Sequence, residues 1–219
     1  MKKFLLFIIF LMPLALFAKF YDGKVIYKSG ETVDLQIDFP LKTTSKKLSV
    51  LMNGKKQKLD ADKIAYIVVF LNDGKNNFVF KRGKDSRFDK EGNISTKKKT
   101  GIWTLIIKAY DNIIVSETAQ SYVVKKSRTK DKEETMIAVF DAQSTSRFGT
   151  LLSKPDDDLV FFFLDVRKNY LKKSIERSQD YLFSKCTNFS EKIDYDNLEN
   201  GNFIHEIAEI YNKCTNATN

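Results

Sequence analysis

The sequence is poor in the residues that most often carry chemistry. Its 219 residues include one histidine, His205, and two cysteines, Cys186 and Cys214. A structural zinc site takes four ligands, and this inventory offers no such set. His205 lies between Ile204 and Glu206 in a helical pattern. It reads as a structural or surface histidine, not as a general base. Gly-x-Ser-x-Gly, His-Glu-x-x-His and glycine-rich phosphate loops are all missing, which removes the recognisable signatures of serine hydrolases, zinc proteases and nucleotide binders. No catalytic residue, metal or cofactor is expected from these patterns.

Long apolar runs are missing too. The longest, Phe4 to Ala18, is fifteen residues and is interrupted by Pro13, whereas a membrane span needs about 20. Lys2 and Lys3 precede it and Lys19 follows, so residues 1–18 read as a secretory signal peptide cleaved after Ala18. Leu16 at the minus-three position is larger than usual for that cleavage. No cysteine lies near residue 18, which argues against a lipoprotein anchor. The chain is therefore expected to be exported to the periplasm, the cell surface or the medium, with no transmembrane segment in its mature form.

What is present describes a globular protein: 42% hydrophobic and 30% charged residues, with only three prolines. The formal charge is +9, or +7 without Lys2 and Lys3. That excess suits a polyanion. Lys55, Lys56 and Lys58 flank a turn, and Lys97, Lys98 and Lys99 lie in a loop. If the two groups meet in space they form a basic surface for weak, salt-sensitive polyanion binding. No aromatic residue interleaves with them, so no base selectivity is expected. Lysines that merely keep an edge soluble are the competing reading.

From Phe20 to about Asp141 the pattern is that of strands. Val33, Leu35, Ile37 and Phe39 alternate with polar residues at period two, and a turn at Lys28–Glu31 joins them to Tyr21–Tyr27. Asn53-Gly54 is the signature of a type I′ hairpin turn, which places Leu48 opposite Leu59 and turns Lys56 and Lys58 to the wet side. Asp60–Lys63 predicts a single helical turn before a strand at Ala65–Leu71. Residues 83–101 read as a long polar loop. Ile102–Ala109 with Ile113–Thr118 predicts a third hairpin, and Tyr122–Lys125 and Thr135–Phe140 two further strands. Asp156-Asp157-Asp158 reads as a solvated turn or a helix cap and not as a calcium site, because no accompanying loop pattern surrounds it. Asn93, Asn188 and Asn216 match the short Asn-x-Ser/Thr pattern, which recurs by chance.

After Pro155 the period changes. Val166, Tyr170, Leu171, Ile175, Leu182 and Cys186 recur at helical spacing. Asn188–Ile193 predicts a short turn. Ile204, Ile207, Ala208, Tyr211 and Cys214 mark a second helix, with Asn202 as a candidate cap. The fold class expected is α+β: an antiparallel sheet, sandwich or barrel of short hairpins followed by an amphipathic helical segment. The expected division is a signal peptide over 1–18, a β-rich domain over 19–158 and a helical segment over 159–219 packed on it. Cys186 and Cys214 both fall on apolar helix faces. In an oxidising compartment that register predicts a disulfide between them.

Three stretches resemble an uncharacterised family of exported proteins of the Bacteroidota: "YDGKVIYKSGETVDLQIDF", "MNGKKQKLDADKIAYIVV", and the ending "DVRKNYLKKSIERSQDYLFSKC" with "IHEIAEIYNKC". The resemblance implies a periplasmic or surface location, a β-rich body and paired C-terminal cysteines. It implies no activity. Two functions remain: a noncatalytic envelope protein that binds or scaffolds through its sheet, or a periplasmic hydrolase of glycans or peptides using a carboxylate pair.

Overall fold

A computed structural model describes residues 19–71, 76–96, 101–126, 134–140, 149–163, 168–198 and 202–217. The signal-peptide assignment, over 1–18, and Lys97, Lys98 and Lys99 lie outside the described residues.

The fold is α+β, and the expected hairpins form. Strand β1 (Lys19–Tyr27) pairs antiparallel with β2 (Thr32–Phe39), Tyr21 opposite Ile37 and Val25 opposite Val33. Tyr21, Val25, Leu35, Ile37 and Phe39 are buried, as period two requires. Strand β3 is the short Leu41–Lys42. Strands β4 (Lys47–Met52) and β5 (Lys55–Asp60) pair with Leu48 opposite Leu59. Asn53 and Gly54 turn the chain with φ of 52° and 74°, the left-handed pair that a type I′ turn needs. A 3₁₀ turn at Ala61–Lys63, with the Asp60 carboxylate accepting from the Asp62 N–H, leads into β6 (Ile64–Phe70).

Within 83–101, the described residues 83–96 are not the long loop that their polarity predicts. Strand β7 runs from Asn77 to Phe88, and β8 (Ile94–Thr96) folds back on its end around Asp89. The Asp89 carboxylate accepts the Glu91 and Asn93 N–H groups, which closes that turn locally. Strands β9 (Ile102–Ala109) and β10 (Ile114–Thr118) make the third expected hairpin. Strands β11 (Ser121–Lys126) and β12 (Glu134–Val139) make a fourth.

Besides β3 and β8, two further strands escaped the sequence pattern, β13 (Gly149–Ser153) and β14 (Leu159–Phe162). The sheet thus continues past residue 158, where helix was expected to begin. Its order is β14-β13-β10-β9-β7-β6-β1-β2-β4-β5, and β14 also pairs in parallel with the second half of β7. Strands β7, β9, β10, β13 and β14 therefore close into a ring, while β5 ends the sheet as an edge. The small sheet β12-β11-β3 covers the buried face of the large one. At that contact Tyr122 meets Phe80 edge-on, ring centres 4.8 Å apart.

A second core joins the ring to the helices α1 (Lys168–Ser178) and α2 (Phe203–Asn216). The first helix is shorter than its apolar spacing predicts. It stops at Ser178 because side chains there take over the backbone groups: the Ser178 hydroxyl donates back to Ser174 and Ile175, and Gln179 donates to the carbonyls of Phe183 and Cys186 and accepts from the Phe189 N–H. Cys186 therefore sits in a turn and not on a helix. The pairing nonetheless forms: Cys186 is bonded to Cys214 across a sequence separation of 28, with Cα atoms 6.0 Å apart. Phe183, Phe189 and Tyr211 cluster beside it, ring centres 4.6–5.2 Å apart. Asn202 is the residue before α2, but its side chain makes no capping bond.

Candidate functional site: the charged centre of β7

Lys81 and Arg82 are adjacent on β7, so the pleat sends them to opposite faces of the sheet. Both are 2% exposed, which is rare for these residue types without partners. Their partners differ, and so do their roles.

Lys81 points into the closed ring. Strand registers place it on the same face as Thr104, Ser116 and Ser153, all of them fully buried. Its ammonium donates to the Ser153 hydroxyl at 3.2 Å, to the Lys154 carbonyl, and more weakly to the Pro155 carbonyl at 3.5 Å. The Tyr66 hydroxyl donates to the same Pro155 carbonyl at 2.5 Å. Burial lowers the Lys81 pKa to about 8, against the opposing pull of Asp157, Asp158 and Asp156. A lysine held this way straps the 153–155 backbone over the ring. A cleft of about 300 Å³ opens beside it, lined by Tyr27, Tyr66, Lys81 and the Pro155–Asp158 turn.

Arg82 points the other way, beneath Thr43 and against Trp103, its guanidinium 5.3 Å from the indole centre. Its side chain is 1% exposed while that of its ion-pair partner Asp62, at 3.0 Å, is 49% exposed. The pair therefore spans from interior to surface. Burial lowers the Arg82 pKa, and Asp62 offsets part of that effect.

The expected turn forms at Asp156-Asp157-Asp158. Asp157 accepts from the Leu159 N–H and from the Tyr181 hydroxyl. Asp158 pairs with Lys28 at 2.7 Å and Lys84 at 3.4 Å. Burial alone would raise the Asp158 pKa, but the hydrogen bond and charge from Lys28, with Lys84, outweigh it and the net shift is downward. No group of three or more metal-ligating side chains occurs among the described residues. None of the described helices is long and apolar enough to cross a membrane.

Of the lysines expected at the surface, Lys55, Lys56 and Lys58 fall within the described residues. They are exposed on β5, and Lys56 also lies over the Phe20 ring at 5.2 Å from its centre. Lys55 and Lys58 form no ion pair with a described residue. His205 is half-buried on α2.

The sequence pattern missed Lys81, Arg82, Lys84, Ser153 and the lysine partners of Asp158. One signal was available: two adjacent cations following Phe78-Val79-Phe80 in a strand run must send one cation to each face. Comparisons with protein-family models, curated proteins and solved structures find no match, so the chemistry rests on this geometry alone.

Proposed function

We propose that this chain is a noncatalytic exported protein of the cell envelope that binds through its sheet, with the lysine-bearing edge β5 as its contact for polyanions. One observation carries the reading: β5 ends the sheet, and its residues Lys55, Lys56, Gln57 and Lys58 are all exposed. Lys56 and Lys58 share one face of this edge strand and Lys55 stands beside the turn on the other, which offers two aligned cations to a repeating anion. Export supports it through the compartment, since glycans and lipid head groups are the polyanions met there. The deeper charged groups support it by their engagement. Lys81 holds Lys154 and Pro155, Arg82 holds Asp62, and Asp157 holds Tyr181.

The competing reading, a hydrolase of glycans or peptides with a carboxylate pair, would draw its acids from Asp156, Asp157 and Asp158. Two of those three already have partners, which weighs against it. Retention on immobilised heparin tests the binding reading. Exchanging Lys55, Lys56 and Lys58 for glutamate should move elution to markedly lower salt; unchanged elution would leave β5 as a solvated edge.

A further inference from the structure

We propose that the cleft between Arg82 and Asp158 is a binding site for a small anionic group, a phosphate or a carboxylate, whose place the Asp158 side chain takes in this structure. The site is separate from β5, and its test is independent of the polyanion reading.

The cleft holds about 210 Å³ and brings together Lys28, Arg82 and Lys84 with Asp62 and Asp158. Three cations against two carboxylates leave it one positive charge. A single oxygen of Asp158, Oδ2, lies 2.7 Å from the Lys28 ammonium and 3.4 Å from that of Lys84. Two ammonium groups converging on one oxygen is how a protein holds an oxygen of a phosphate or carboxylate ligand. The Asp158 side chain is one-third exposed at 33%, so solvent and solutes reach it.

The floor of the cleft is a buried guanidinium. Gly101 lies directly over it: a Cβ there would fall 2.8 Å from the Arg82 Nε. Glycine at 101 lets the backbone pack directly over Arg82, whose side chain is 1% exposed, so the guanidinium acts on the cleft through its charge from beneath. Arg82 lends positive charge from beneath, and the exposed ammonium groups of Lys28 and Lys84 supply the direct contacts.

The side chain of Asp158 is free to yield its place because its backbone does the holding. The Lys84 N–H donates to the Asp158 carbonyl at 2.6 Å, within the β7–β14 pairing. An incoming anion thus displaces a carboxylate from two ammonium groups without breaking the ring.

Titration with inorganic phosphate and, separately, with acetate, followed by amide chemical shifts on the full mature chain, tests the proposal. Asp158→Asn keeps the shape and removes the competing charge, and should tighten binding by about tenfold. Lys84→Gln should weaken phosphate binding in both the wild-type and the Asp158→Asn backgrounds. Shifts should centre on Lys28, Lys84 and Gly101. A response to phosphate but not acetate assigns a phosphate ligand, and an equal response assigns a carboxylate. If Asp158→Asn binds no tighter than wild type, or if Lys84→Gln changes nothing in either background, the proposal fails. The Lys84→Gln arm decides the matter even if Asp158→Asn folds poorly.

Discussion

Lys81 and Ser153 meet across the closed ring, ammonium to hydroxyl at 3.2 Å, although their strands β7 and β13 are not neighbours in the sheet. The contact exists because β14 returns to β7 and brings the end of β13 over it. It places a charged group in an interior otherwise lined by hydroxyls and aliphatic side chains, and that placement has a measurable consequence.

The consequence is a stability that rises with pH. In the fold the Lys81 pKa is lowered by burial to about 8; in the unfolded chain a lysine titrates near about 10.4. Below pH 8 both states hold the proton and this group contributes no slope. Between the two values only the unfolded chain holds it, so stability increases with pH. Between pH 8 and pH 10 the gain should be roughly 2–3 kcal/mol. Above pH 10 buried tyrosines act in the opposite direction, because burial pushes a phenol such as that of Tyr122 up to about 12. Urea midpoints at pH 7.5 and 9.5 should differ in the wild type and coincide in Lys81→Met.

The disulfide should be structural. Opening the link between Cys186 and Cys214, separated by 28 residues, should cost about 3.5 kcal/mol in the chain-entropy model. The Cys186→Ala, Cys214→Ala double variant should lose that stability in denaturant titrations, and reductant should lower the wild type to the same midpoint. Non-reducing peptide mapping should recover one peptide pair containing both residues; free thiols at both positions would contradict the assignment.

The Asn53-Gly54 turn should be sensitive at its second position. Gly54 has φ of 74°, which an alanine adopts only with strain, and open space surrounds it. Gly54→Ala should therefore destabilise by about 1 kcal/mol through the backbone alone. The single variant Asn53→Gly, which puts glycine at both turn positions, should keep the hairpin.

The mature chain should begin at Lys19. That residue opens β1, and its ammonium pairs with Glu134 of β12, so cleavage after Ala18 would leave the strand whole. Mass spectrometry of protein recovered from its native envelope should find Lys19 at the N-terminus; an intact Met1 would contradict export by cleavage.

Much of this fold was legible, for local reasons. Period-two alternation placed β2, the Lys28–Glu31 turn placed β1 before it, and the turn chemistry of Asn53-Gly54 set the register of Leu48 against Leu59. Helical spacing placed α1 and α2. What stayed hidden was non-local. The second half of β7, Lys84 to Phe88, carries charged and polar side chains that read as loop, and it becomes a strand because β14 pairs with it from far along the chain. Strand β14 was hidden for the converse reason, since a short apolar run before a helix looks like part of that helix. The cysteine pairing was read correctly through a helix that ends too early to carry Cys186. Gln179 supplies by side chain the turn geometry that brings it there. The candidate anion site was the least legible of all, because Lys28, Arg82 and Asp158 come from three separate parts of the chain and only the ring closure unites them.

The salt dependence of polyanion binding tests the central claim most directly. A homopolymeric single-stranded DNA serves as an unselective polyanion, and its affinity is to be measured across a salt series for the wild type and for the variant with glutamine at 55, 56 and 58. Each lysine that neutralises a phosphate adds about 0.7 to the slope of log affinity against log salt. The wild type should bind with a steep slope, and the triple variant should lose about 1.4 from it, the share of Lys56 and Lys58. Equal slopes in the two proteins, or no binding by the wild type at low salt, would contradict the assignment of β5 as a polyanion contact.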